Sequence, residues 1–94
     1  MNPKVKENID KIVIIYKEAL TYNGKQMCED SKRHLNMMRG RLIDLSDGDV
    51  DFYFERDNSS PRLGSYKITL KCTEEVEEFI INHMEDEQWV NLQV

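Results

Sequence analysis

Two cysteines, two histidines and eighteen carboxylates are the groups in this chain that could do chemistry, and their spacing decides which kind. Zinc sites typically draw cysteines from positions roughly two to four apart and histidines from positions roughly three to five apart. Cys28 and His34 stand six apart and Cys72 and His83 eleven apart, so no metal and no other cofactor is expected. A nucleophilic cysteine needs a base within hydrogen-bond reach and a setting that lowers its pKa. A separation of six residues puts Cys28 and His34 on different faces of a helix. Cys72 reads instead as a core thiol, and His83 as a satisfied histidine on a helix stripe. General acid catalysis needs a carboxyl whose pKa a cleft has raised, whereas the glutamates after Thr73 read as a solvated row. Four scattered glycines offer no phosphate-cradling loop. No catalytic residues are expected, and the chain reads as a protein that is not an enzyme.

What remains is binding, and charge is its clearest signal. Met1 to Arg41 carries nine basic and five acidic residues, a balance of +4, while Leu42 to Val94 carries four and thirteen, a balance of −9. The net charge of −5 argues against general affinity for nucleic acid or an anionic membrane. The acidic half offers Asp47, Asp49 and Asp51 on a turn and Glu74, Glu77, Glu78 and Glu85 on a helix, with Ile81 among those glutamates. Such rows on a rigid scaffold can occupy a basic groove, and an exposed apolar residue can fix specificity. These eight residues are the expected contacts for a protein partner with a basic surface. The basic half supplies a rival, in which Lys32, Arg33, Arg39 and Arg41, preceded by Lys25, follow a phosphate backbone.

Two resemblances bear on these readings. In size and acidic character alone, the chain resembles the small inhibitors of mobile elements, among them anti-CRISPR and other anti-defence proteins and uracil-DNA glycosylase inhibitors. That resemblance implies docking onto an enzyme that handles nucleic acid. The element order is loosely similar to that of double-stranded RNA-binding domains. The chain departs from that family at Thr73-Glu74-Glu75, where the family carries lysines that grip phosphates.

The elements that must position these residues are legible from periodicity. Ninety-four residues make one domain, with 39% apolar residues to fill a modest core. The class expected is α+β in the order α-α-β-β-α. Asn2-Pro3 opens a helix running to Tyr22, with Asn23-Gly24 as its left-handed stop. Val5, Ile9, Ile12, Val13, Tyr16, Ala19 and Leu20 share one face of it, and Ile14 lies opposite, as a stray surface residue or a contact for a second copy of the chain. Lys25 to Leu45 follows as a second helix, burying Cys28, Leu35, Met38, Leu42 and Leu45. A variant ends it near Arg39 and makes Arg41 to Leu45 a strand, turned by the Asp47-Gly48 hairpin signal. Two alternating runs then pair antiparallel with Phe54 facing Ile68, Phe52 facing Leu70 and Val50 facing Cys72, while Glu55 meets Lys67 and Asp51 meets Lys71. Thr73 caps the acidic helix, which buries Val76, Phe79, Ile80, His83 and Met84. Trp89 to Val94 alternates as a possible third strand. No apolar run approaches the roughly 18 residues a membrane span needs, and two distant cysteines give no disulfide framework. A soluble, cytoplasmic protein is expected.

Overall fold

The computed structural model describes residues 1–59 and 64–92, with 85–92 as backbone only. Four helices and a two-stranded antiparallel sheet follow one another as α1 (Pro3–Glu7), α2 (Ile9–Leu20), α3 (Glu29–Ser46), β1 (Asp51–Arg56), β2 (Tyr66–Lys71) and α4 (Glu74–Leu92). The class is α+β as expected, with one helix more than the expected order because the first is divided.

Asn2 opens α1 as the sequence implied, its Oδ1 accepting from the Lys4 amide at 2.9 Å ahead of Pro3. The expected single helix to Tyr22 breaks at Asn8, whose backbone leaves helical geometry (φ −106°, ψ 16°). Its side-chain amide instead donates to the Leu45 carbonyl at 2.9 Å, near the end of α3. Asparagine trades regular helix for such side-chain bonds readily, and here the trade ties the start of α2 to the end of α3. Beyond the break, Ile9, Ile12, Val13 and Ala19 are buried as expected, Tyr16 and Leu20 are partly so, and Ile15 joins them.

The second helix begins at Glu29 rather than Lys25 because the chain before it is taken up by the sheet. Tyr66 donates its amide to the Lys25 carbonyl at 3.0 Å and accepts from the Gly24 amide at 2.7 Å, and Gln26 bridges Ser65. Asn23 Oδ1 accepts from the Ile68 amide at 2.8 Å on the same edge. Cys28 becomes the exposed residue ahead of α3 and not part of its buried stripe, while Leu35, Met38 and Leu42 are buried as expected. Arg41 to Leu45 is helical. The Asp47-Gly48 signal works as a helix stop, both residues being left-handed (φ 54° and 84°). Ser46 fixes this corner. Its fully buried hydroxyl donates to the Leu42 carbonyl at 2.8 Å and accepts from the Val50 amide at 2.9 Å.

The strand register is the one alternation demands, with Phe54 opposite Ile68, Phe52 opposite Leu70, Glu55 opposite Lys67 and Asp51 opposite Lys71. Val50 and Cys72 lie just outside the ladder. The apolar face of the ribbon meets the helices, and α2 packs against both α3 and α4. Ile12 of α2, Leu35 and Leu42 of α3, Phe52 of β1 and Ile80 of α4 are completely buried. Truncating a core aromatic such as Phe52 to alanine costs about 3–5 kcal/mol, a large share of what a domain of this size has.

Thr73 caps α4, its Oγ1 accepting from Val76 at 3.4 Å and its carbonyl from Glu77 at 2.9 Å. The run from Trp89 is helical to Leu92 instead of forming a strand, and among the described residues the sheet has two strands. No Gly or Pro interrupts the chain between Met84 and Leu92, so nothing punctuates the helix there. Residues 93 and 94 lie outside the described part. No helix among the described residues is long and apolar enough to cross a membrane.

Candidate protein-docking surface

The cap at Thr73 sets the phase of α4. Positions 74, 77, 78 and 81 recur at helical spacing, so Glu74, Glu77, Glu78 and Ile81 line one shallow cleft of about 340 Å³. A second cleft of about 470 Å³ is lined in part by Thr73, the residue that precedes Glu74 in sequence. Its walls are Ile43 from the last turns of α3, Asp49 from the turn that follows, Asp51 of β1, and Lys71 and Cys72 at the end of β2. Asp49 and Asp51 thus share a cleft with Thr73, the cap of α4. Asp47 sits exposed at the left-handed cap, outside both linings, and Glu85 falls in the backbone-only part of α4.

Two apolar side chains interrupt the acids. Ile81 is 40% exposed and Ile43 is 36% exposed. Ile43 was missed by the sequence reading. Its signal was available, since it stands off the Leu35-Met38-Leu42 stripe as Ile81 stands off the stripe of α4.

One acid in this tract is already neutralised. Asp51 accepts from Arg39 Nε at Oδ1 and from an Arg39 terminal nitrogen at Oδ2, both at 3.0 Å. The guanidinium, helped by the Phe52 amide, holds the Asp51 carboxyl below its ordinary pKa, and Asp51 raises that of Arg39. Two of the other basic candidates are also engaged. Lys32 lies 3.7 Å from Glu29, and Arg33 is paired with Asp30. Arg41 is exposed and makes no ion pair among the described residues. Three of the four basic candidates on α3 therefore already face a carboxylate.

The two thiols and two histidines sit in four different settings. Burial, together with the negative charge of Glu77, pushes the Cys72 thiol up to about 11. Burial likewise raises the nearby Tyr16 phenol, with Glu77 adding to the effect. Cys28 is the opposite case. Its Sγ lies 3.4 Å from Ser31 Oγ, and that bond with the Ser31 and Asp30 amides lowers its pKa. Cys28 and His34 are not brought together as a pair. His34 Nε2 meets Glu18 at 3.2 Å across α2 and α3, and His83 Nε2 meets Asp10 at 2.7 Å across α2 and α4. Among the described residues no group of three or more His, Cys, Asp or Glu is placed to hold a metal ion.

Ile14 is 61% exposed, and Met37 on α3 is 69% exposed. Ile14 lies between Asn8 and Glu18 on α2, and Met37 between His34 and Leu45 on α3, the residues whose contacts join those two helices.

No known protein family, no curated protein and no solved structure matches this chain.

Proposed function

We propose that this chain is a small non-enzymatic binding protein, an inhibitor or adaptor, that docks its acidic tract onto a basic surface of a nucleic-acid-handling partner. The anti-defence proteins of mobile elements are the sharpest version of this reading. The supporting observation is a pair of acidic clefts, one on the first turns of α4 and one walled by α3, β1 and the end of β2. Glu74, Glu77, Glu78 and Asp49 face outward there with a single lysine, Lys71, among them, and Ile43 and Ile81 lie in the same walls. Acids of this kind steer encounter and exclude wrong partners, while apolar residues at the centre carry affinity.

The experiment is capture on the immobilised chain from nuclease-treated lysate, with wild type run beside a Glu77→Lys/Glu78→Lys variant. A stoichiometric basic partner, lost in the variant and weakened by moderate salt, sustains the reading. A partner retained unchanged by both reversals places the contact on another face and overturns it.

A second reading, self-association, has its own observation in the exposed Ile14 and Met37. It predicts a dimer in light scattering that Ile14→Ser returns to monomer.

A further inference from the structure

The far end of the ribbon, away from the acidic tract, gathers cations around one tyrosine. Tyr66 stands directly opposite Arg56 in the β1–β2 register. On its other edge it exchanges backbone bonds with Lys25 and Gly24. With Gln26 bridging Ser65, Lys25 takes the place directly opposite Tyr66. Side chains directly opposite one another in antiparallel pairing emerge on the same face. Lys25, Tyr66 and Arg56 therefore form one row across three segments. Lys32, in the first turns of α3, hangs over that row with its Nζ 5.2 Å from the Tyr66 ring centroid. The ring is half-buried and packs on Phe54 at 6.3 Å between centroids, which fixes where its hydroxyl points.

We propose that Lys25, Lys32, Arg56 and the Tyr66 hydroxyl form a binding site for a dianionic phosphomonoester. Lys32 and Arg56 stand at the Tyr66 ring and Lys25 lies on the strand beside it, and the carboxylate paired with one of these cations is Glu29, an exposed i,i+3 partner of Lys32. Two positive charges remain, which matches a phosphomonoester above its second pKa of about 6. The tyrosine supplies a neutral donor, and arginine supplies a planar fork suited to phosphate oxygens. The site is a point and not a track. Arg33 and Arg39, which would extend it along α3, hold Asp30 and Asp51. A repeating diester backbone would meet these carboxylates, whereas a single terminal phosphate would not. Lys32 over one part of the ring and Phe54 beside it leave recognition to the phosphate rather than to a stacked base. This site is independent of the proposed acidic docking surface.

The test is an amide NMR titration of the full chain with glycerol 2-phosphate, and in parallel with a dinucleotide diester. Saturable shifts at Lys25, Lys32, Arg56 and Tyr66 are expected from the monoester, with an affinity at least fivefold weaker for the diester. Affinity should rise severalfold between pH 5 and pH 7.5 as the second phosphate proton leaves. Arg56→Gln and Lys32→Gln should each weaken binding at least fivefold, and Tyr66→Phe, which keeps the ring, should weaken it less. All three positions are at least partly exposed, and unchanged amide spectra away from the site will show that the variants fold. A phosphoserine peptide bound more tightly than glycerol 2-phosphate assigns a modified protein as the source, and equal binding assigns a free phosphorylated metabolite. Shifts that fail to saturate, that spread over the surface, that appear equally with the diester or that survive Arg56→Gln unchanged overturn the proposal.

Discussion

Arg39 on α3 grips the carboxylate of Asp51 on β1 through two hydrogen bonds of 3.0 Å, the forked geometry in which guanidinium and carboxylate match best. The pair joins the longest stretch of helix before the ribbon to the ribbon's first residue. It also removes one charge from each of the two binding surfaces that the sequence offered. The docking proposed for the acidic tract would therefore rest on Asp49 and the α4 glutamates, while Asp51 is tied to Arg39.

Arg39→Gln should destabilise the protein by about 1 kcal/mol at pH 7. Hydrogen bonds to charged groups contribute about 1.5–3 kcal/mol, and partial exposure of Arg39 reduces that through solvent screening. Arg39 holds the Asp51 pKa below its unfolded value, so the pair's stabilisation is full above the unfolded carboxyl pKa of about 3.9 and fades as pH falls through the folded value. Urea unfolding of wild type and variant at several pH values checks this. The gap between them should close in acid.

The two thiols should separate cleanly in a native alkylation experiment. Cys28 is exposed with a lowered pKa, and Cys72 is held at about 11. At pH 7.5 iodoacetamide should modify Cys28 alone, and urea should release Cys72. Glu77→Gln removes a charge that raises Cys72 and should quicken its slow native reaction. Equal native rates at both positions would contradict this placement.

Ser46→Ala should cost about 1–3 kcal/mol, the penalty of leaving the buried Val50 amide without an acceptor. Chemical denaturation checks the size. Serine to alanine usually favours helix, so the sign itself separates the buried bond from propensity.

Gly40→Ala should do the reverse. Gly40 is exposed inside α3, has no unusual backbone angle, and a methyl group there meets nothing within 4 Å. A gain of about 0.5–1 kcal/mol is expected from reduced backbone freedom in the unfolded chain and better helix propensity. A rise in the thermal midpoint by several degrees would register it.

The sequence carried the ribbon almost whole. Alternation on both strands and two opposite-charge pairs, Asp51 with Lys71 and Glu55 with Lys67, agreed on one register, and a slip by one residue would have reversed every face. It carried the α4 row of Glu74, Glu77, Glu78 and Ile81 for the same reason, because spacing along a single helix is local. Tertiary bonds were the illegible part. Asn8 breaks a helix by reaching the carbonyl of Leu45, and Gly24 to Gln26 leave a helix to pair with Ser65 and Tyr66. Trp89 to Leu92 alternates like a strand yet continues α4. The cancellation of Asp51 by Arg39 joins two elements whose packing no periodicity announces.

The bond between His83 and Asp10 spans seventy-three positions of sequence, and Ile80 of α4 shares one core with Val5 and Ile12. During synthesis, then, α1 and α2 can cover part of their apolar surface on α3, but the side that Val76 and Ile80 close stays bare until α4 emerges. A nascent chain stalled before Val76 would hold exposed isoleucines for a chaperone to cover.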